Sequence, residues 1–342
     1  MKLATYADGT RDGHLVVVSH DLCSAVYANT QATRLQQLLD DWNFVAPQLH
    51  ELYITLNHGK ARHAFAFDPA LCMAPLPRAG SWSWQALGAR TPAPRRDAAT
   101  VANEPPDTAA DAAAAAGAGS APGPDGVDPA AAVPSGASAR SGRAGWTRPL
   151  LQCAAGDDMR GPCVELALPE GSWPAQVHAG LAVLAGELAL QAGPSQALEA
   201  VRLLGLYSRW HLIGDAQGER GDTQLAPHWA PVLVTPDELG AAWDTGRVDL
   251  TLVLQWLSAQ GKALGAPRLA RGSSQRWHYG QLLAWACRVR RLRAGATLGC
   301  DWLSATLPGP ADMSLAAPAA APAPAPAPRR GAARAAAAEA AL

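Results

Sequence analysis

Histidine and carboxylate side chains are the groups of this chain that could carry chemistry, but their spacing marks no site. The main candidates are His178, His211 and His228, together with Asp215, Glu219 and Asp222, which lie close to one another in the sequence. Three imidazoles could bind Zn²⁺, yet scattered and partly exposed histidines are the favoured interpretation because no short spacing links them. His58 and His63 are five residues apart, which on a helix places them on different faces.

Other reactive motifs are absent or weak. The chain has no Gly-x-Ser-x-Gly elbow and no glycine-rich loop that ends in Gly-Lys-Ser or Gly-Lys-Thr, which argues against a serine hydrolase and a P-loop nucleotide site. The adjacent His20, Asp21 and Cys23 form no convincing triad. A basic run at 288–293 is interpreted as a solvated helix end. With a net charge of −1, the chain predicts no nucleic-acid partner.

Localisation follows from the termini and the cysteines. The first residues lack the apolar core of a secretory signal, and no run approaches the ~18 apolar residues of a membrane span. The six cysteines show no CxxC spacing. Buried free thiols in a reduced, cytoplasmic protein without membrane contact are therefore expected.

Composition divides the chain into folded and low-complexity parts. Residues 91–145 and 316–342 consist mostly of Ala, Gly, Pro, Asp, Ser and Arg, and such segments cannot offset the entropy of ordering, so both are predicted to be disordered. Every Phe and Trp lies outside them. The expected organisation is an N-terminal domain at 1–78, a connector at 79–90, the insert at 91–145, a C-terminal domain at 146–315 and the tail at 316–342.

The periodicities predict an α+β, β-rich protein. Alternating runs indicate strands at 2–6, 14–19, 231–234, 249–256 and 295–299, and a strand and turn at 181–188. Leucines three and four apart predict helices around 35–42 and 49–56, and the pattern also favours helices at 194–204 and 279–289. Thr235 is predicted to cap a helix that begins at Pro236, with Glu238 closing a capping box.

Several segments resemble bacterial members of the fumarylacetoacetate hydrolase family. The likeness is carried by MKLATY and GHLVVVS within 1–19, TRLQQ and DDWNF within 33–44, LCMAPLPR at 71–78, VLVTPDELG at 232–240 and RAGATLG at 293–299. It is strong in the first 78 residues and patchy afterwards. The resemblance implies a mixed β-roll after the small α+β domain, a homodimer, and hydrolysis of C–C bonds in diketo acids with a divalent metal, typically Mg²⁺, held by carboxylates.

Five sequence blocks that the resemblance requires for this chemistry are not matched. An Asp and a catalytic base should follow Arg78, but 79–96 contains no Asp, Glu or His before Asp97. A Glu-x-Glu pair aligns with His178-Ala179-Gly180, and a metal-ligand segment aligns with Ser208-Arg209-Trp210-His211. Gln224 stands at the position of a catalytic lysine. A Gly-Thr loop aligns with Gly299-Cys300-Asp301-Trp302.

Three hypotheses follow. The first is a family paralogue that retains the fold, binds no metal cofactor and has lost or impaired catalysis, so that it serves a binding or accessory role. The second is an active diketo-acid or oxo-acid hydrolase with a site rebuilt around His178, Arg209 and His211, in which arginine would hold a substrate carboxylate. The third is a decaying gene whose shifted reading frames generated the low-complexity pieces.

Overall fold

The computed structural model describes residues 1–87, 148–166, 175–213, 223–258 and 260–306. Both segments predicted to be disordered, 91–145 and 316–342, lie outside these ranges. The described residues belong to one compact unit, and its architecture is α+β and rich in strands, as predicted. Among the described helices, none is long and apolar enough to cross a membrane.

The first part of the chain forms short strands and two helices. Its elements are β1 (Lys2–Tyr6), β2 (His14–Val18), β3 (Ser24–Tyr27), α1 (Leu35–Asp40), α2 (Trp42–Asn57), β4 (Phe65–Ala66), a 3₁₀ turn (Pro69–Leu71) and β5 (Ser81–Gln85). The strands predicted at 2–6 and 14–19 are confirmed, and they pair antiparallel from Lys2 opposite Val18 to Tyr6 opposite His14. The predicted helices are also present as α1 and α2.

The second part supplies the long strands. Its elements are β6 (Leu151–Ala154), β7 (Ala175–Ala185), α3 (Pro194–Glu199), β8 (Val201–Leu212), β9 (Thr223–Gln224), β10 (His228–Trp229), β11 (Val232–Val234), a 3₁₀ helix (Pro236–Ala242), β12 (Trp243–Asp244), β13 (Arg247–Val248), β14 (Thr251–Leu257), β15 (Ala263–Arg271), a 3₁₀ turn (Gly272–Ser274), α4 (Tyr279–Ala286) and β16 (Ala296–Thr306).

One sheet joins both parts. Its order within the described residues is β4-β3-β2-β1-β11-β8-β7-β16-β5-β6, and β9 and β10 also pair with β8. The long central ladders are antiparallel, whereas β16 and β5 are parallel. The N-terminal strands therefore continue the sheet that carries β7, β8 and β16.

Both faces of the central strands are buried, which explains the unbroken apolar run of β7. Because strand side chains alternate, Ala182 and Leu184 enter the core cluster that contains α1 and α2, whereas Leu181 and Val183 enter the cluster that contains α4. The sequence of a strand that is covered on both faces is continuously hydrophobic and does not alternate.

Two local predictions are wrong. The helix predicted over 194–204 ends at Glu199, because β8 begins at Val201 and pairs with β7 so that Leu203 and Leu204 are buried. The capping box of Thr235 does not form: its Oγ1 accepts a hydrogen bond from the Met1 ammonium at 2.5 Å, and the Glu238 carboxylate lies 2.9 Å from the same nitrogen.

The six cysteines, all of which lie in described residues, form no disulfide, and only three of them are buried. Cys72, Cys287 and Cys300 are buried, while the exposed thiols are those of Cys23, Cys153 and Cys163. The expectation of buried thiols is therefore wrong for the exposed three.

Candidate functional site

Adjacent strands bring two of the three predicted site residues face to face. His178 on β7 lies directly opposite Arg209 on β8, and directly opposed residues of an antiparallel pair project from the same face of the sheet. His211 lies two residues beyond Arg209, which returns it to that face. The ladder therefore groups all three residues along one stretch of the β7–β8 pair.

The guanidinium of Arg209 is buried and fully engaged. Its Nη2 donates to Asp301 Oδ2 at 2.5 Å, and its Nε donates to Asp301 Oδ1 at 3.3 Å. Its Nη1 donates to Gln224 Oε1 at 2.8 Å, and the guanidinium carbon lies 4.9 Å from the centre of the Trp84 ring. Arg209 is only 3% exposed. This bidentate, stacked geometry is the strong form of an arginine–carboxylate pair.

Asp301 is the anionic centre of the cluster. It lies on β16, is 1% exposed and accepts a hydrogen bond of 2.6 Å from the Tyr207 hydroxyl in addition to those from Arg209. Burial, and then the Asp301 charge, raise the pKa of Tyr207 well above its usual value. Tyr207 therefore stays protonated and acts as a donor to the carboxylate.

His178 lies at the edge of this cluster and is neutral at pH 7. Its Nδ1 is 3.7 Å from Asp301 Oδ2, and this buried nitrogen has no hydrogen-bond partner. Burial and the Arg209 charge lower its pKa from 6.5 to about 4, the Asp301 charge opposes them, and His211 adds a smaller lowering. A neutral imidazole next to a carboxylate already paired with arginine adds no net charge to the site.

The small residue at position 180 determines how closely the strands approach. Gly180 lies opposite both Tyr207 and Asp301 in the two ladders that β7 forms. A Cβ placed on Gly180 would lie 1.9 Å from the Cys300 carbonyl oxygen and 3.0 Å from the Asp301 Cα. Because both obstacles are backbone atoms, the position aligned with the second glutamate of the Glu-x-Glu pair has no room for a side chain.

The three-histidine zinc alternative is not supported by the fold. His228 on β10 lies opposite Ser208, which neighbours Arg209 and so projects from the other face of β8. His178 and His228 are therefore on opposite faces of the sheet. Asp215, Glu219 and Asp222, the carboxylates considered with these histidines, lie outside the described residues.

The cluster does not fit a divalent metal. Mg²⁺ and Mn²⁺ prefer several oxygen ligands, most of them carboxylates, but Asp301 is the carboxylate of this cluster and Arg209 already neutralises it. Within the ranges that the structure describes, no group of three or more His, Cys, Asp or Glu side chains could hold a metal ion. The residues present thus make an internal ion pair and not a metal cradle.

Sequence reasoning located most of this cluster and misjudged one member. His178, Arg209, Gln224 and Asp301 come from four of the five blocks that the resemblance singled out, and the structure joins Arg209 to Gln224 and Asp301 and places His178 beside them. For Asp301 the resemblance indicates only a mismatch to a Gly-Thr loop. The signal that could have identified it is the position of this one carboxylate within the largely apolar sequence of β16, Ala296–Thr306, which predicts a buried charge.

The N-terminal region and the fold have recognisable relatives. A family model described as Fumarylacetoacetase N-terminal domain 2 matches residues 1–78. No curated protein matches the sequence.

Solved structures resemble the chain over most of its length. Maleylpyruvate hydrolase from Sphingobium sp. SYK-6 is 11% identical, with a TM-score of 0.54, 88% of this chain and 89% of that chain covered. A structure of that enzyme in complex with manganese (II) ion and pyruvate gives 13% identity, a TM-score of 0.53 and 88% coverage of each chain. The fumarylacetoacetate hydrolase from Exiguobacterium antarcticum gives 16% identity, a TM-score of 0.51, and coverage of 88% and 86%.

These likenesses confirm the predicted fold class. The chain has a fumarylacetoacetate hydrolase-like fold, a mixed and β-rich α+β architecture, and its residues 1–78 match the family model of an N-terminal domain.

Proposed function

We propose that this protein is a fumarylacetoacetate hydrolase paralogue in which a buried ion pair has replaced the metal site, so that it lacks metal-dependent C–C bond hydrolysis and serves a binding or accessory role. The observation that carries the proposal is the Arg209–Asp301 pair. Arg209 stands at a position that the sequence resemblance assigns to a metal ligand, and both members of the pair are nearly inaccessible to solvent.

Electrostatics supports this proposal. A cationic guanidinium at a ligand position repels a divalent cation, and the repulsion is strongest where burial lowers the effective dielectric constant. The cluster of Arg209, Asp301 and neutral His178 has no net charge, whereas a hard cation needs an excess of negative oxygen ligands. Gln224 at the position aligned with the catalytic lysine accepts a hydrogen bond from Arg209 instead of supplying a cation.

One observation favours the second candidate, an active enzyme that hydrolyses diketo or oxo acids. His178 Nδ1 carries no hydrogen bond, its imidazole is 12% exposed, and it is neutral at pH 7. An imidazole nitrogen without a hydrogen bond is the type of group that acts as a general base, and the lowered pKa makes it a weak one. In this candidate Arg209 would have to release Asp301 to hold a substrate carboxylate, which is the step that the buried bidentate geometry opposes.

The experiment is a hydrolysis assay of acylpyruvate and fumarylacetoacetate by the full-length protein with Mg²⁺ or Mn²⁺. The first proposal predicts no turnover that depends on added metal and disappears with a chelator. Metal-dependent turnover would overturn it.

Variants distinguish the second candidate. If metal-independent turnover is found, His178→Ala and Arg209→Ala should each abolish it, while the exposed control His58→Ala should not. Unchanged activity in both site variants would refute a rebuilt site at these residues.

We also propose a homodimer and a small oxo- or diketo-acid ligand class, as the resemblance implies. The β14–β15 hairpin supports the dimer, because it forms a separate two-stranded sheet and exposes apolar side chains: Val253 is 57% exposed and its cross-strand partner Leu269 is 65% exposed. Exposed apolar pairs of this kind are typical of association surfaces. Light scattering on the full chain tests it: a mass of two chains supports the proposal, and a mass of one refutes it.

A further inference from the structure

A second polar site lies at the other end of β7. A cleft with a volume of about 490 Å³ opens between α1, the start of α2, the turn after β7 and the start of β8. This volume suits a small molecule. His178 and Gly186 are eight residues apart along an extended strand, so the cleft is about 26 Å from the Arg209 cluster at 3.3 Å per residue.

The residues that line the cleft include an arginine with one buried donor that has no partner. The half-buried Arg202 has no carboxylate partner among the described residues, and its buried Nε has no hydrogen-bond partner. Its Nη1 makes one long contact of 3.4 Å with the Glu199 carbonyl oxygen. Buried donors are almost always paired, and Arg202 lines the cleft, so a ligand in the cleft could supply an acceptor to its guanidinium.

The surrounding residues hold this guanidinium in place. Its carbon lies 5.5 Å from the centre of the Trp42 ring, an arrangement that orients the guanidinium plane. Gly186 also lies against the guanidinium, because a Cβ there would be 3.0 Å from Arg202 Nε. Gln36, which also lines the cleft, is fixed by its amide nitrogen, which donates to Asp40 Oδ1 at 2.8 Å and to the Ala294 carbonyl oxygen at 3.0 Å.

The rim carries both signs of charge. Arg293 is exposed and has no carboxylate partner within the described ranges, and the exposed carboxylates of Asp40, Asp41 and Glu187 also line the cleft. The guanidinium group of an arginine binds one carboxylate through two parallel hydrogen bonds. The rim carboxylates repel a second negative charge and attract an ammonium group.

We infer that this cleft binds a small zwitterionic carboxylate of the amino-acid class, with its carboxylate on Arg202 and its ammonium toward Asp40 and Asp41. Arg293 would add a second donor at the entrance. The inference is independent of the proposed function, since it uses none of the residues of the Arg209 cluster.

Calorimetric titration of the full-length protein tests the inference. The probes are glycine, L-leucine and L-arginine, with acetate and succinate for comparison. We expect saturable binding of at least one amino acid and weaker or no binding of succinate. If no amino acid binds, or if succinate binds more tightly than every amino acid, the inference is wrong.

Variants locate the bound carboxylate. Arg202→Gln should weaken amino-acid binding by about tenfold or more because a charged fork is lost, whereas the exposed control Arg290→Gln should not change it. Gly186→Ala, which presses a methyl group against Nε, should also weaken binding and serves if Arg202→Gln does not fold. Unchanged affinity in the folded variants would overturn the assignment. Asp40→Asn should weaken amino-acid binding but not acetate binding, and an equal loss for both would contradict the proposed orientation.

Discussion

Removal of the cation from the buried pair should destabilise the protein severely. In Arg209→Met the side chain keeps much of its volume but leaves the Asp301 carboxylate, 1% exposed, with the Tyr207 hydroxyl as its remaining strong donor. Loss of one partner of a buried ion pair costs about 3–5 kcal/mol. We therefore expect the free energy of unfolding to fall by about that amount.

The double variant shows whether this cost comes from the orphaned charge. In Arg209→Met with Asp301→Asn both charges are absent, and the asparagine carbonyl can still accept from Tyr207. Replacing both partners of a buried pair is often nearly neutral, so the double variant should be about 2–4 kcal/mol more stable than the sum of the single effects predicts.

Urea denaturation followed by tryptophan fluorescence, at one protein concentration, gives the three energies. The matched control is Arg291→Met, whose arginine is 69% exposed and 4.0 Å from Glu187; an exposed pair of this kind should change stability by no more than about 0.5 kcal/mol. Additive single effects, or a loss below about 1 kcal/mol in Arg209→Met, would refute the view that this pair is a desolvated and interdependent unit.

Three further outcomes are expected. Because the pKa of His178 is lowered from 6.5 to about 4, the stability that the neutral imidazole provides is present above pH 6.5 and is lost as the pH falls toward 4. Partial exposure limits this loss to about 1–2 kcal/mol. In urea titrations, the stability of His178→Gln should depend less on pH than that of the wild type, and an unchanged pH profile would contradict the prediction. Gly180→Ala should lower the free energy of unfolding by about 3 kcal/mol or more, or prevent folding, since backbone atoms block its Cβ. The control Gly80→Ala, with open space around its Cβ, should retain the wild-type melting temperature. Equal melting temperatures for the two variants would contradict the close packing at Gly180. Aspartate at both Val253 and Leu269 should halve the mass measured by light scattering without unfolding the chain, and a persistent dimer would place the interface elsewhere.

Sequence periodicity predicted the strands and helices whose formation depends mainly on nearby residues. The strands predicted at 2–6 and 14–19 and the two N-terminal helices follow from alternation and from leucine spacing, and the structure confirms them. The helix predicted at 194–204 was too long because its Ala and Leu residues suit a helix, while Val201–Leu204 gain more by pairing with β7. Long-range strand pairing overrides weak local propensity.

The candidate site was predictable in its membership but not in its chemistry. Family likeness singled out His178, Arg209 and Gln224, and strand pairing brings them together. Asp301 reaches Arg209 because β16 pairs with β7. Since the two residues are more than ninety positions apart in the sequence, no local pattern predicts this contact. An arginine that looked available for a substrate is therefore already paired.

Manganese binding tests the central claim most directly. Titration of Mn²⁺ into the full-length protein, followed by electron paramagnetic resonance of the free ion, should show no saturable site, and acylpyruvate should remain intact in the same samples. A stoichiometric Mn²⁺ site together with acylpyruvate hydrolysis that a chelator abolishes would contradict the replacement of the metal by the Arg209–Asp301 pair.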